Sequence, residues 1–560
     1  MATRVTGSPS RLARARGVLP DRARGWLPGR LLLIATWVVV AIGAGLRIRQ
    51  WSFDRAFWVD ELLLQRAMSE QRFSQLLQPM ALAQSAPPGW LAVQHVLVGL
   101  LPSERGARLL PLLFGVGTVV LTALLARALL GEVAALAATA LVALSTQLIT
   151  YSAEFKQYSA DGFWMLLVLL LGVRLSRDSR DSRDSRDSRD GGDRDRYVLA
   201  AVAGVGVWFS HATALAVAGV FLALGLQALA GRRRRQLAVL IGCAVPAAAG
   251  LAVEYVTVLS ANAADAVLQA YWVRAFPPDG PLTWTIGWDW FTGRVRSVVV
   301  NPLLWDFGWP LAVLAGSGFV VLLLRRPRAL PVLVLPVLAI VAAGLAGSYP
   351  ISNRLALWAV PLVALLVAAP LDLPLLAARL PRLPSVGRVP AVVLAVALAL
   401  VAAGRLVEMS ERQVTTDARF VAEPRQSEES RTLLQRVVAE RRPGDLVLIG
   451  SEGGRYAADF YGPQVGLRQY EVLDYERPGS RCQAGWFGAR LWQQRVYQRI
   501  WLFSSHRQSS PVYLDQLRRF GPIAAHLREA GTDAIRFDRA ATAPAVQKPP
   551  RYCVLIDTAP

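Results

Sequence analysis

Two adjacent carboxylates, Asp60 and Glu61, close the segment Trp51 to Glu61 (WSFDRAFWVDE), which directly follows the first strongly apolar stretch of the chain. Trp51, Phe57 and Trp58 read as an aromatic belt at the membrane–water boundary, fixing the depth of the acid pair. Carboxylates at that depth are costly to desolvate and gain nothing from anionic headgroups, so they mark a functional site. A carboxylate there can take the proton of an acceptor hydroxyl, and Asp60 is expected to be that general base with Glu61 beside it. A cation nearby can hold a phosphate leaving group and neutralise its developing charge; Lys156 and Arg354 are the first candidates and Arg274 the third. The competing reading for each cation is a side chain snorkelling to headgroups. Glu154, Asp161 and His211 complete the titratable set on the same face, His211 reading first as an interhelical hydrogen-bonder. No His/Cys ligand spacing points to a metal, so a divalent cation would have only the clustered carboxylates to hold it.

These residues must be positioned by membrane-spanning helices. At 560 residues and 54% hydrophobic, the chain is too apolar for an ordinary soluble enzyme. Its repeated apolar runs of about 17–22 residues match a bilayer core of roughly 30 Å. A net charge of +21 would normally suggest nucleic acid, but the basic residues lie in short connections between apolar runs, which is topology control, and no nucleic-acid partner is expected. The expected fold is an α-helical polytopic membrane protein of about eleven spans with a C-terminal extracytoplasmic α/β domain. Residues 1–29 form a basic cytoplasmic tail without a cleavable signal peptide. Residues 30–404 form the membrane domain, with outer loops 48–106, 151–161, 260–308 and 348–354. Within it, Leu62 to Leu77 reads as an amphipathic helix on the bilayer surface, and the Ser-Arg-Asp repeat within 176–196 as a disordered cytoplasmic linker. Residues 197–230 read as two short spans with His211 at their turn. With the N-terminus inside, the basic clusters at 1–29, 174–196, 232–235, 325–328 and 379–388 all fall on one face. The acid pair and the polar tail fall on the other.

Residues 405–560 read as the α/β domain. Helix is expected over Leu433 to Arg441 and Tyr513 to Ala530, and strands over Leu446–Ser451, Ile500–Ser505 and Cys553–Ile556. The GSEGG run after the first strand lacks the lysine and glycine spacing of nucleotide loops. Cys243 sits in an apolar run; Cys482 and Cys553 can pair if this domain lies in an oxidising space.

The acid pair is followed by SAPPGW (Ser85 to Trp90), by SERGARLLP (Ser103 to Pro111) and by YSAEFKQYSAD (Tyr151 to Asp161). As an ordered set they resemble the protein O-mannosyltransferase and lipid A aminoarabinose transferase group of GT-C glycosyltransferases, across about residues 30–400. YPISNRLALWAVP (Tyr349 to Pro361) resembles a late-loop motif of related bacterial membrane glycosyltransferases. The resemblance implies an inverting enzyme in the plasma membrane, moving a sugar from a polyprenyl-phosphate donor to a glycan, protein or lipid hydroxyl on the outer face. It implies Asp60 and Asp161 at catalytic acidic positions, and Glu154 and Lys156 at acidic and basic positions of the second loop. The expected substrate-binding residues on this face are Glu154, Tyr151, Tyr158, His211, Pro87 and Pro88. Ser85-Ala86 stand where His or Lys commonly precedes the two prolines, which leaves phosphate binding to Lys156 or Arg354. A lipid-linked donor supplies its own driving force, so no nucleotide cofactor is implied. A transporter or flippase for a lipid-linked precursor, or an inactive relative, are the alternatives. Against transport, no internal repeat is visible and the acids cluster at an interface instead of mid-span.

Overall fold

The computed structural model describes residues 21–178, 187–278, 284–300, 305, 308–378, 385–422, 427–473, 497–506 and 511–541. Among these, seven helices are long and apolar enough to cross a membrane: Gly29–Ser52, Leu109–Leu129, Tyr158–Arg177, His211–Ala230, Arg234–Ala264, Ala359–Ala377 and Val392–Arg412. Four shorter apolar helices accompany them: Pro88–Leu100, Glu132–Ala143, Trp309–Arg325 and Leu330–Leu345. The protein is a multi-pass, mostly helical membrane protein with a small C-terminal sheet.

Helix ends inside the bundle need partners for their carbonyls, because no water reaches them. Glu132–Ala143 stops short at Leu144, and buried Arg47 of the first helix donates to the freed carbonyls of Val142 and Ala143 at 3.0 and 2.9 Å. The 197–230 stretch is two helices: one ends at Gly206, and the next starts at His211 with Ser210 as its N-cap, accepting from the Thr213 N–H at 3.0 Å. The end of the bundle opposite Asp60 gathers basic segments. Arg325 pairs with Asp372 at 2.7 Å, and Arg235 with Asp193 at 3.2 Å. Asp193 lies just after the charged repeat, within the 176–196 segment. The expectation of a disordered linker over 176–196 is corrected where the chain is described: 176–178 and 187–196 are helical, anchored there by Arg196–Asp193 and Arg235–Asp193.

Two further expectations change. The helix after the acid pair is Val59–Glu70, starting three residues earlier than its periodicity suggests and ending before Gln71. Its apolar residues Leu62, Leu64, Ala67 and Met68 are buried in one cluster with Leu433, Ala457 and Tyr461 of the C-terminal domain, so it packs on protein and not on lipid. Of the expected aromatic belt, Phe57 is likewise buried, its ring stacked at 5.6 Å on Phe155, while Trp51 and Trp58 are half-buried.

The C-terminal sheet runs β2-β1-β3-β5-β4, with β1 Leu446–Ile449, β2 Glu471–Val472, β3 Arg499–Ser505, β4 Ile523–Glu529 and β5 Thr532–Asp538. β1 is parallel to both neighbours, while β3, β5 and β4 are antiparallel. Helices Ser430–Glu440 and Glu452–Val465 flank it. The helix expected over 513–530 ends at Phe520 and β4 follows. Gly521-Pro522 explains the stop, since Pro522 cannot continue a helix, and a Cβ at Gly521 would lie 1.9 Å from the Asp538 carbonyl. Cys482, Cys553 and the 553–556 strand lie outside the described residues.

Candidate active site

Val59–Glu70 begins immediately after an extended segment, which puts Asp60 and Glu61 in its first turn. Carboxylates are favoured at a helix N-terminus, where N–H groups are unpaired. Neighbouring residues on a helix point about 100° apart, so the pair does not act as a pair. Glu61 turns inward and is fully buried. Arg108 holds it through Nε at 2.9 Å and Nη2 at 2.6 Å, and the Phe155 N–H donates to it at 2.5 Å. The Trp58 N–H donates to it at 3.3 Å, which is the N3 half of a capping box, since the indole of Trp58 cannot accept in return. With both oxygens engaged and no surface, Glu61 cannot meet substrate. Its expected place among catalytic groups is corrected to a structural one.

Asp60 stays partly exposed and pairs with Arg354. Arg354 comes from the short 3-10 turn Asn353–Ala356, entered through a left-handed Asn353 (φ 45°), a conformation asparagine tolerates. The buried Tyr349 hydroxyl donates to the Leu355 carbonyl at 2.8 Å and fixes that turn. The Arg354 guanidinium lies 5.8 Å from the Trp58 ring and 5.5 Å from the Tyr158 ring, and reaches the Tyr271 hydroxyl at 3.4 Å. Such aromatic contacts hold a planar cation without consuming its N–H donors.

The second loop closes the other side. Buried Lys156 donates to Gln84 Oε1 at 2.8 Å. Burial pushes its ammonium down to about 8, with Arg354 adding to the fall and Asp60, Glu61 and Glu154 opposing it. Gln157 donates to the Ser85 carbonyl at 3.0 Å, so the segment before the prolines docks on this loop. Pro87 is the N-cap of the helix Pro88–Leu100, and the Gly89 N–H donates to the Trp208 carbonyl at 2.9 Å. A Cβ at Gly89 would come within 2.7 Å of that carbonyl, which accounts for glycine after the prolines. Tyr151 meets Tyr158 edge to face at 5.6 Å.

Burial raises the Glu154 carboxyl to about 7, Glu61 adding to the rise while Arg55, Arg354 and Arg108 oppose it. Since the ordinary value is 4.5, the folded chain binds more protons than the unfolded chain between these values. Stability therefore falls as pH climbs through that window, by on the order of 3 kcal/mol. Glu154→Gln removes the group responsible. The melting temperature of the variant is expected to gain on the wild type steadily from pH 5 to about 7.5; parallel curves in detergent would contradict this.

Three expected site residues have other neighbours than Asp60. Asp161 falls in the first turn of the helix Tyr158–Asp178, not ahead of it, and its Oδ1 accepts from Ser210 Oγ at 2.6 Å. It thus ties two helix starts together. His211 lies 4.0 Å from buried Glu254, between the helices His211–Ala230 and Arg234–Glu254. Arg274 is exposed on a 3-10 turn, where the neighbouring Tyr271 and not Arg274 reaches Arg354. Sequence reasoning missed Arg108, Arg55, Glu428, Glu429 and Tyr461. Arg108 had a signal: an isolated arginine at the mouth of an apolar run must be paired. Arg55 is buried and donates to the Ala153 carbonyl at 2.5 Å; burial, with Arg108 beside it, lowers its guanidinium to about 10. Arg55, Arg108, Lys156 and Arg354 lie within electrostatic reach of Asp60, Glu61 and Glu154, and Glu429 adds a fourth acid beside Arg55. Among the described residues no group of three or more His, Cys, Asp or Glu could hold a metal. Grooves of about 550 Å³ beside Asp193–Ala201 and about 400 Å³ between Ala137–Leu141 and Leu406–Glu411 include no residue of this cluster.

No family model and no curated protein matches the chain. Solved structures similar to it include the archaeal oligosaccharyltransferase AglB from Archaeoglobus fulgidus in complex with an inhibitory peptide and a dolichol-phosphate. Identity is 14% and the TM-score 0.45, over 93% of this chain and 75% of that one. ArnT from Cupriavidus metallidurans is similar in its apo state at 14% identity and TM-score 0.46, over 92% and 98% of the two chains. Bound to undecaprenyl phosphate, ArnT gives 15% and 0.46, over 94% and 100%. Each is a low-identity likeness.

Proposed function

We propose that this protein is an inverting glycosyltransferase that moves a sugar from a polyprenyl-phosphate donor to an acceptor hydroxyl at the extracytoplasmic face of the plasma membrane. The observation that carries the reading is the Asp60–Arg354 pair, built from segments 294 residues apart, with Lys156 in electrostatic reach of both. The acceptor oxygen attacks the anomeric carbon opposite the phosphate, and Asp60 takes its proton. The carbon–oxygen bond to phosphate breaks, and polyprenyl phosphate leaves with the electron pair. Arg354 has five N–H donors, so it can turn from Asp60 to the donor phosphate, which frees the carboxylate to act as base. Lys156 supplies a second charge to the leaving group.

The cation roles give a pH signature. Lys156 is charged below about 8 and neutral above it, so affinity for undecaprenyl phosphate is expected to fall as pH rises through that value. Lys156→Arg keeps its charge and should flatten the fall, while Lys156→Ala should weaken binding at pH 7 by roughly 10- to 100-fold. Binding would be followed by fluorescence with the protein in nanodiscs. Turnover would be read as polyprenyl phosphate released from undecaprenyl-phosphate mannose and undecaprenyl-phosphate arabinose, assayed in parallel. Wild-type affinity that is level from pH 7 to 9.5, with a silent Lys156→Ala, would overturn the assignment of Lys156.

A further inference from the structure

We propose that the C-terminal domain is a clamp on the segment that carries Asp60, with Glu428, Glu429 and Tyr461 as positioning residues for it. The inference rests on the reading of Asp60 as the base. Between the first helix, which ends at Ser52, and the helix starting at Val59, the chain is irregular, with Asp54 left-handed (φ 53°), and its N–H groups have no helical or strand partners. Side chains more than 360 residues away in sequence supply them. The Ala56 N–H donates to Glu429 Oε2 at 3.2 Å, the Phe57 N–H to the Tyr461 hydroxyl at 2.7 Å, and the Val59 N–H to Glu428 Oε2 at 3.1 Å. Val59 opens the helix on which Asp60 is the second residue, so Glu428 caps that helix from another domain.

Each clamp residue is itself held. Ser505 Oγ donates to Glu428 Oε2 at 3.0 Å, and His506 Nδ1 lies 2.8 Å from Glu428 Oε1. Tyr461 donates to Glu104 at 3.1 Å; Arg431 reaches the same carboxylate at 2.9 Å and the Asp54 carbonyl at 2.5 Å. The clamp also reaches the cation: the His506 ring stands 6.3 Å from Trp58, whose other neighbour is the Arg354 guanidinium. Both partners of the Asp60–Arg354 pair thus lean on the clamped segment. The acceptor oxygen must meet Asp60 within hydrogen-bond reach, and displacement of about 1 Å costs on the order of 100-fold in rate.

The test uses the full chain in nanodiscs with three variants. Tyr461→Phe keeps the buried ring and removes the acceptor for Phe57. Glu428→Ala removes the helix cap, and Glu428→Gln keeps an oxygen for Val59. Faster hydrogen–deuterium exchange of the 54–61 amides is expected in Tyr461→Phe and Glu428→Ala, with the Leu109–Leu129 helix unchanged. Turnover of the undecaprenyl-phosphate sugar probe is expected to fall about 10- to 100-fold in kcat with a smaller rise in donor KM, and Glu428→Gln to recover most of it. Unchanged exchange, an unchanged kcat, or a Glu428→Gln as poor as the alanine variant overturns the clamp. Asp60→Asn assayed alongside separates the two ideas. If it is inactive while the clamp variants behave as wild type, only the clamp fails; if it is active, the base assignment fails whatever the exchange data show.

Discussion

Asp60→Asn is expected to lower sugar transfer by about 100- to 10,000-fold, the usual contribution of a positioned general base. Asparagine keeps the size of the side chain and an oxygen that can accept from Arg354, so the local geometry survives while proton acceptance is lost. Donor binding should move the other way or not at all. In the resting site Arg354 is paired with a carboxylate, and a neutral partner leaves more of its charge for the donor phosphate. Undecaprenyl phosphate should therefore bind Asp60→Asn at least as tightly as wild type. That split distinguishes a base from a residue that merely orients Arg354, because the latter role predicts that affinity and rate fall together. Wild-type release of polyprenyl phosphate by Asp60→Asn would end the base assignment.

The polytopic helical architecture was legible because hydrophobic run length and the placement of arginines are both set by the bilayer, which acts on each segment locally. The split near residue 210 was legible for the same reason: one span there would have moved Arg232 to Arg235 across the membrane. The site was legible only as a set of segments. Asp60, Lys156 and Arg354 could be named from residue type and motif order, but the inward turn of Glu61 depends on helix phase. Phase was invisible while Trp51 to Glu61 was read as a loop. Tertiary contacts account for the other differences. Leu62 to Leu77 has the amphipathic pattern of an interfacial helix, and nothing in that pattern says whether lipid or the Glu452–Val465 helix covers its apolar face. Glu428 and Glu429 carry no signal in the sequence, because their partners are backbone amides some 370 residues earlier. His211 drew a site reading because it is titratable and sits at an outer turn, whereas its neighbour Glu254 sits deep in an apolar stretch.

The largest stability effect is expected at Arg108. It is almost wholly buried, holds Glu61 with two nitrogens, and donates to the carbonyls of Arg55 at 2.6 Å and Ala56 at 3.1 Å. Arg108→Met strips the buried Glu61 carboxylate of its contact ion pair and removes one donor from each of the two carbonyls, a loss of about 3–5 kcal/mol. Arg108→Lys should recover little, because an ammonium cannot span a carboxylate and two carbonyls as a planar fork does. The double variant Glu61→Leu/Arg108→Met removes the stranded charge, and for an isolated ion pair that would restore stability. Here it cannot do so fully: the buried Phe155 N–H and the half-buried Trp58 N–H lose their acceptor and the two carbonyls lose the guanidinium, at about 1–3 kcal/mol for a buried group left unsatisfied. Thermal unfolding in detergent is expected to rank Arg108→Met lowest, the double variant between, and wild type highest. A double variant equal to wild type would mean that Glu61 and Arg108 serve only each other. The expected order means that this ion pair joins the Asp60 helix, the Phe155 loop and the entry to the Leu109–Leu129 helix at a single point, directly behind the carboxylate assigned to the chemistry.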